Sequence, residues 1–151
     1  MQIGVETLDA EDVIALLQAH MADMHATSPP ESIHALDVTA LKAPEITFFC
    51  ARRNDELLGC AAIKALGAGH AEIKSMRTAP SARNQGIAAA LLAHILEVAR
   101  SRGYHTVSLE TGSMAFFEPA RRLYAKFGFK PCEPFGSYKL DPNSCFMTLH
   151  L

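Results

Sequence analysis

The chain has 151 residues, of which 49% are hydrophobic and 20% charged, with a formal net charge of −2. These values describe an ordinary globular protein, one domain over residues 1–151 that buries roughly 70% of its unfolded surface without disulfides or metal, and they exclude a disordered chain. A near-neutral charge gives no general basic field for nucleic acid, and no apolar run reaches the roughly 20 residues of a membrane span, so neither partner is expected.

In chain order, Ile3 to Leu8 alternates as a strand. Asp9 is placed to cap the next helix, with Glu11 and Asp12 in its first turn and Val13, Ile14, Leu16, Leu17, Met21 and Met24 on one side. That helix ends before Ser28-Pro29-Pro30. Ser32 is a candidate cap for a short second helix ending near Leu41, although Glu31 to Leu36 reads equally well as loop. A hairpin follows: Ile46 to Arg52, a turn at Asn54-Asp55, and a return over Leu57 to Lys64. After a turn at Gly67 to Gly69, His70 to Thr78 is a further strand.

The clearest helix starts at Gln85 or Gly86 and ends at Arg102. Ile87, Leu91, Ile95 and Val98 form one row, and Ala88, Leu92, Leu96 and Ala99 the next. Gly103 suits the position just past its end. His105 to Thr111 is a strand. A shorter helix begins near Pro119 and is stopped by Gly128, with Phe129 folding back on Tyr124. Phe129 to Tyr138 and Cys145 to Leu151 are expected as closing strands. Antiparallel runs with a single strand-helix-strand crossover define an α+β fold. The cysteines, Cys50, Cys60, Cys132 and Cys145, have neither metal-site spacing nor a CxxC pair and read as reduced thiols. With a start at Met1 that is neither basic nor apolar, this usage points to a cytoplasmic protein.

The chemistry concentrates where a strand ends and the longest helix begins, at Met76-Arg77-Thr78-Ala79-Pro80-Ser81-Ala82-Arg83-Asn84-Gln85-Gly86-Ile87-Ala88-Ala89. The first amides of a helix have no internal partner, and small residues there let an anion approach the backbone. Arg83-Asn84-Gln85-Gly86-Ile87-Ala88 resembles the Gln/Arg-x-x-Gly-x-Gly/Ala motif of the Gcn5-related N-acetyltransferases (GNAT). Leu123-Tyr124-Ala125-Lys126-Phe127-Gly128-Phe129 is similar to that family's Leu-Tyr-x-x-x-Gly-Phe segment. The resemblance extends to the element order over the whole chain. It implies a mixed, mostly antiparallel sheet of about seven strands with a central splayed parallel pair, and about four helices. The three glycines of a dinucleotide fingerprint are absent.

The resemblance implies acetyl-CoA as co-substrate and no metal. The backbone of Met76 and Thr78 would pair with the pantetheine arm. The amides from Asn84 through Gln85, Gly86, Ile87 and Ala88 to Ala89 would hold the pyrophosphate, with Arg83 as an added contact. Transfer to an amine then needs a base, an oxyanion donor and an acid for the leaving thiolate. The amide of Met76 or Arg77 would be the donor and Tyr124 the acid. Glu110 is the first candidate for base and Glu72 the second, each with an ion-paired carboxylate as the alternative reading. Phe117 stands where the family often has asparagine, in an apolar segment from Met114 to Pro119.

For the acceptor, Lys74, Arg77 and Lys139 are candidate partners of a carboxylate. Lys74 and Arg77, three apart on a strand, should face opposite sides unless a bulge intervenes. His20, His25 and His34 fall near the segment that would overhang the acceptor, His34 among its contacts. A small-molecule amine bearing a carboxylate is the expected acceptor, reached by direct transfer in a ternary complex. A protein N-terminus is the competing acceptor, and an inactive acyl-CoA-binding module the competing function. In the family it resembles, closing strands such as those after Phe129 often pair across dimers, so the resemblance implies a homodimer.

Overall fold

In the computed structural model, which describes residues 1–34 and 36–151, the chain forms one mixed sheet with helices packed against it. The strands are β1 (Gln2–Val5), β2 (Ile46–Arg53), β3 (Glu56–Gly67), β4 (His70–Thr78), β5 (Thr106–Gly112), β6 (Lys130–Pro131) and β7 (Ser144–His150). Their order across the sheet is β1-β2-β3-β4-β5-β7-β6, and only β4 and β5 run parallel. The helices are α1 (Glu11–Thr27), α2 (Val38–Leu41), α3 (Ile87–Ser101) and α4 (Glu118–Lys126).

The apolar stripe of α3 is buried as its periodicity requires: Ile87, Leu91, Leu92, Ile95 and Leu96 are each at most 3% exposed. Burying each such side chain contributes about 1.5–3 kcal/mol, which fixes α3 on the central strands. Val13, Leu16 and Leu17 do the same for α1. The ends of α3 and α4 close in one pattern. After α3, Gly103 (φ 78°) donates to Arg100 O and Tyr104 to Ala99 O, each at 3.0 Å. After α4, Gly128 (φ 97°) donates to Ala125 O at 3.0 Å and Phe129 to Tyr124 O at 3.1 Å. These paired bonds satisfy carbonyls that the helix leaves free, and they set Phe129 against Tyr124 with ring centroids 5.8 Å apart.

Four expectations are corrected. The residue before α1 is Ala10, not Asp9, and it caps without a side chain, while Asp9 pairs with Lys42 at 3.2 Å. Ser32 ends a single 3₁₀ turn (Pro30–Ser32) instead of opening α2, which is capped by Asp37 accepting from the Ala40 amide at 2.8 Å. β1 stops at Val5. Of the expected strand from Phe129 to Tyr138 only Lys130–Pro131 pairs, with one further bond from the Cys132 amide to Phe146 O at 2.9 Å; beyond it Pro134 supplies no amide hydrogen and the chain leaves the sheet.

Candidate active site

β4 and β5 pair only from His70–Ile73 to Thr106–Leu109. Beyond Ile73 and Leu109 the two strands part, while β4 stays on β3 as far as Thr78 and β5 stays on β7 as far as Gly112. The parting leaves two backbone edges without each other in the middle of the sheet, a place for an extended ligand to pair. A cavity of about 140 Å³ opens there, lined by residues of both strands, of α1 and α4, and of the loops before α2 and β7.

The β4 edge is bent by its own sequence. Cys60 opposes Arg77 and Ala62 opposes Lys74, so Ser75 and Met76 together face the single residue Ala61. This is a β-bulge, and Ser75 occupies a left-handed conformation (φ 56°) to make it. The extra residue shifts the alternation, so Lys74 and Arg77 share a face instead of taking opposite ones. Only Lys74 lines the cavity. Arg77 turns to α1 and donates from Nη1 to Asp23 at 2.6 Å, with its buried Nε lacking a partner among the described residues.

Six of the expected residues line this one cavity: His34, Glu72, Lys74, Met76, Glu110 and Tyr124. The two carboxylates sit in different surroundings. Glu72 is buried at 4% side-chain exposure and accepts at Oε2 from the Tyr138 hydroxyl (2.5 Å) and from Lys74 Nζ (3.2 Å). Burial pushes the Glu110 carboxyl up to about 7, against the Ser144 hydroxyl and the Lys74 charge, which favour its ionised form. Burial first, then the Glu110 charge, raises the Tyr124 phenol well above its ordinary value, so it stays protonated. His20 lines the same space and is lowered to about 4 by burial and by Arg77, against Asp23, which makes it a neutral imidazole near pH 7.

Two loops close over the cavity. Ser32 Oγ donates to Asp141 Oδ2 at 2.7 Å and accepts from Asn143 Nδ2 at 3.3 Å. The His34 ring meets the Tyr138 ring edge-on at 5.0 Å. Phe117 lines the cavity as well, and its ring lies so close to Gly112 that a Cβ there would sit 2.1 Å from it. Arg121 fixes this corner by donating to Gly112 O at 2.6 Å and Met114 O at 3.0 Å.

Sequence reasoning passed over Tyr138, Ser32, Asp141 and Asn143. A readable signal did exist for the first: Pro134-Phe135-Gly136-Ser137-Tyr138 mixes turn formers with aromatics and lacks the alternation of a strand.

Away from the cavity, the Arg83–Ala89 segment forms the start of α3. Asn84 (φ 62°) and Gly86 (φ 76°) both take left-handed backbone, and a Cβ on Gly86 would meet nothing within 4 Å. The first bond of the helix is Ala90 N–H to Gly86 O at 3.0 Å, so the amides of Ile87, Ala88 and Ala89 precede it and remain available. Gln85 is tied down, donating to Ser81 O and accepting from Arg53, while Arg83 is exposed. An open cradle of amides at the positive end of a 15-residue helix fits the diphosphate of a coenzyme A thioester. Among the described residues no cluster of three or more His, Cys, Asp or Glu is arranged for a metal, and no helix is long and apolar enough to cross a membrane.

A splayed parallel pair, a bulged strand at its edge and an amide cradle beside it define an acyl-coenzyme A transferase fold. The sequence model of the acetyltransferase (GNAT) family matches residues 13–129, and the chain belongs to this family. Two uncharacterized N-acetyltransferases are similar throughout. YsnE of Bacillus subtilis is 54% identical over 151 residues, covering 100% of both chains. YedL of Escherichia coli is 46% identical over 149 residues, covering 99% of this chain and 94% of its own. A solved chain from Klebsiella pneumoniae is 30% identical with a TM-score of 0.84, covering 99% and 97%. A Bacillus subtilis acetyltransferase solved in complex with CoA has the same fold at 18% identity and a TM-score of 0.74, covering 99% and 98%. The protein is thus an acetyltransferase, of a class that takes its acyl group from acetyl-CoA.

Proposed function

We propose that the enzyme transfers the acetyl group of acetyl-CoA directly to the primary amine of a small molecule, within a ternary complex. The observation that carries this reading is the meeting of Glu110 and Tyr124 in one cavity at the parting of β4 and β5. Acetyl-CoA, when bound, supplies an activated thioester. The amides of Ile87 to Ala89 hold its diphosphate, and the free edge of β4 at Met76 and Thr78 pairs with its extended arm.

The remaining chemistry falls to side chains. An amine must lose a proton before it attacks, and a carboxylate with a proton affinity near neutrality is suited to take it. Glu110 has that affinity, whereas Glu72 is committed to Lys74 and Tyr138, so Glu110 is the base and Glu72 is not. The Met76 amide, at the bulge where two residues face one, is the donor toward the developing oxyanion. Tyr124, kept protonated, donates to the departing thiolate. The cavity size and the Ser32–Asp141 link across its roof favour a small acceptor over a polypeptide terminus.

A panel of small amines, amino acids and N-terminal peptides, assayed by thiol release from acetyl-CoA, tests this. Turnover with small amines, and its loss in Glu110→Gln and Tyr124→Phe, is expected. Turnover with peptides alone, or full activity in both variants, would reject the reading. Tight acetyl-CoA binding without thiol release from any amine would instead assign the chain as a sensor.

A further inference from the structure

The cavity wall carries two carboxylates and one ammonium, and the hydrogen bonds divide them unequally. Lys74 and Glu72 lie two apart on β4 and so project from the same face. The Tyr138 hydroxyl closes a triangle with them: it donates to Glu72 Oε2 at 2.5 Å and accepts from Lys74 Nζ at 2.9 Å. Lys74 makes no hydrogen bond to Glu110. The hydroxyl arrives from the irregular loop before β7, and its ring is fixed by three others: His34, Phe135 at 5.1 Å and Phe146 at 5.5 Å. Phe146 is also the β7 neighbour of Glu110 across the sheet. The loop that builds the roof thus also holds the charges in the wall.

We propose that Tyr138 is a positioning residue: by bonding Glu72 and Lys74 at once it restrains the Lys74 ammonium on Glu72 and keeps it from pairing with Glu110. This rests on the reading of Glu110 as the base, and says what preserves it. An ammonium that reaches a carboxylate lowers its proton affinity by about 1–3 pH units, which would leave Glu110 too weakly basic near neutrality. The groups that face Glu110 are Glu72 and Lys74 from β4, Ser144 from β7, Asp141 and Tyr138 from the loop before it, Tyr124 from α4, and His20 and His34 across the cavity. Among the cavity-lining residues, Lys74 is the only lysine or arginine, so it is the cation whose movement matters.

The test needs no acceptor. In protein labelled with ¹³C at the glutamate side-chain carboxyl, the Glu110 signal is assigned by its absence from Glu110→Gln and titrated by NMR. Tyr138→Phe keeps the ring and its aromatic neighbours and removes only the hydroxyl. The Glu110 midpoint is expected to fall by about one pH unit in that variant. Lys74→Met alone should raise the midpoint, and adding Lys74→Met to Tyr138→Phe should bring it back to the wild-type value or above. A Tyr138→Phe midpoint equal to wild type, or a double variant that stays low, overturns the proposal. A wild-type midpoint at an ordinary carboxylate value overturns the base assignment itself, so the two failures are told apart.

Discussion

The two ends of the opening between β4 and β5 are built from different material. The α3 cradle is backbone: amides of Ile87 to Ala89 and two left-handed residues, Asn84 and Gly86, within one short stretch. The proposed acceptor wall is side chains: Glu72 and Lys74 from β4, Glu110 from β5, Tyr124 from α4, and Ser32, Tyr138, Asp141 and Asn143 from two loops about 110 residues apart at their Ser32–Asn143 contact. A backbone site recognises what every coenzyme A thioester shares. A side-chain site can be changed one group at a time, which is where a family diversifies its acceptors.

The comparison predicts unequal sensitivity. The largest effect belongs to the wall: Glu110→Gln should lower kcat by about 10²–10⁴-fold and abolish the rise of kcat/KM with pH through about 7. A retained acid limb would remove Glu110 from the chemistry. The same substitution should strengthen the fold. A carboxyl raised from 4.5 to about 7 binds more protons folded than unfolded between those values, so wild-type stability falls as pH rises across that window. Above it, Glu110→Gln should gain on the order of 2 kcal/mol in chemical denaturation, and the two proteins should converge near pH 4.5. Equal stability at pH 8 would show that burial does not disfavour the charge.

The cradle should respond only to added bulk. Gly86→Ala places a Cβ where nothing now stands and strains a left-handed residue by about 1–2 kcal/mol. The KM for acetyl-CoA should rise about tenfold with the acceptor KM unchanged. A matching rise in both would erase the division between the two ends. The smallest effect is expected at the roof: Ser32→Ala removes the bridge to Asp141 and Asn143, worth about 1 kcal/mol, and should raise the acceptor KM about fivefold without moving that for acetyl-CoA.

The same division explains what could be read without coordinates. The cradle, the α3 stripe and the glycine closures after Ser101 and Lys126 are local patterns, and each lies where its residues indicate. Tyr124 was legible for the same reason, set by Gly128 and Phe129 within five residues. The wall was legible only in part. Glu72, Lys74 and Glu110 stand on strands whose alternation fixes their faces, and Glu110 was ranked ahead of Glu72, but the bonds that commit Glu72 come from Tyr138, whose loop has no period at all. Arg77 was misplaced because nothing in Lys74-Ser75-Met76-Arg77 announces a left-handed serine. Asp9 sits one residue before the position that caps α1, and its carboxylate pairs instead with Lys42, 33 residues away.

That serine has a further consequence. One surplus residue resets the phase of β4, so the strand obeys one parity before Ser75 and the opposite parity after it. Pairing every residue of β4 in turn, with no bulge, would set Arg77 opposite Gly59, on the side that leaves room only for Ile87 and Leu91, whose atoms stand 3.0 and 3.2 Å from the missing Cβ. A guanidinium would then be driven into oil, and Met76 would be drawn into the regular ladder opposite Cys60. The irregularity that shapes the open edge of β4 is thereby also what keeps its arginine on the α1 side of the sheet.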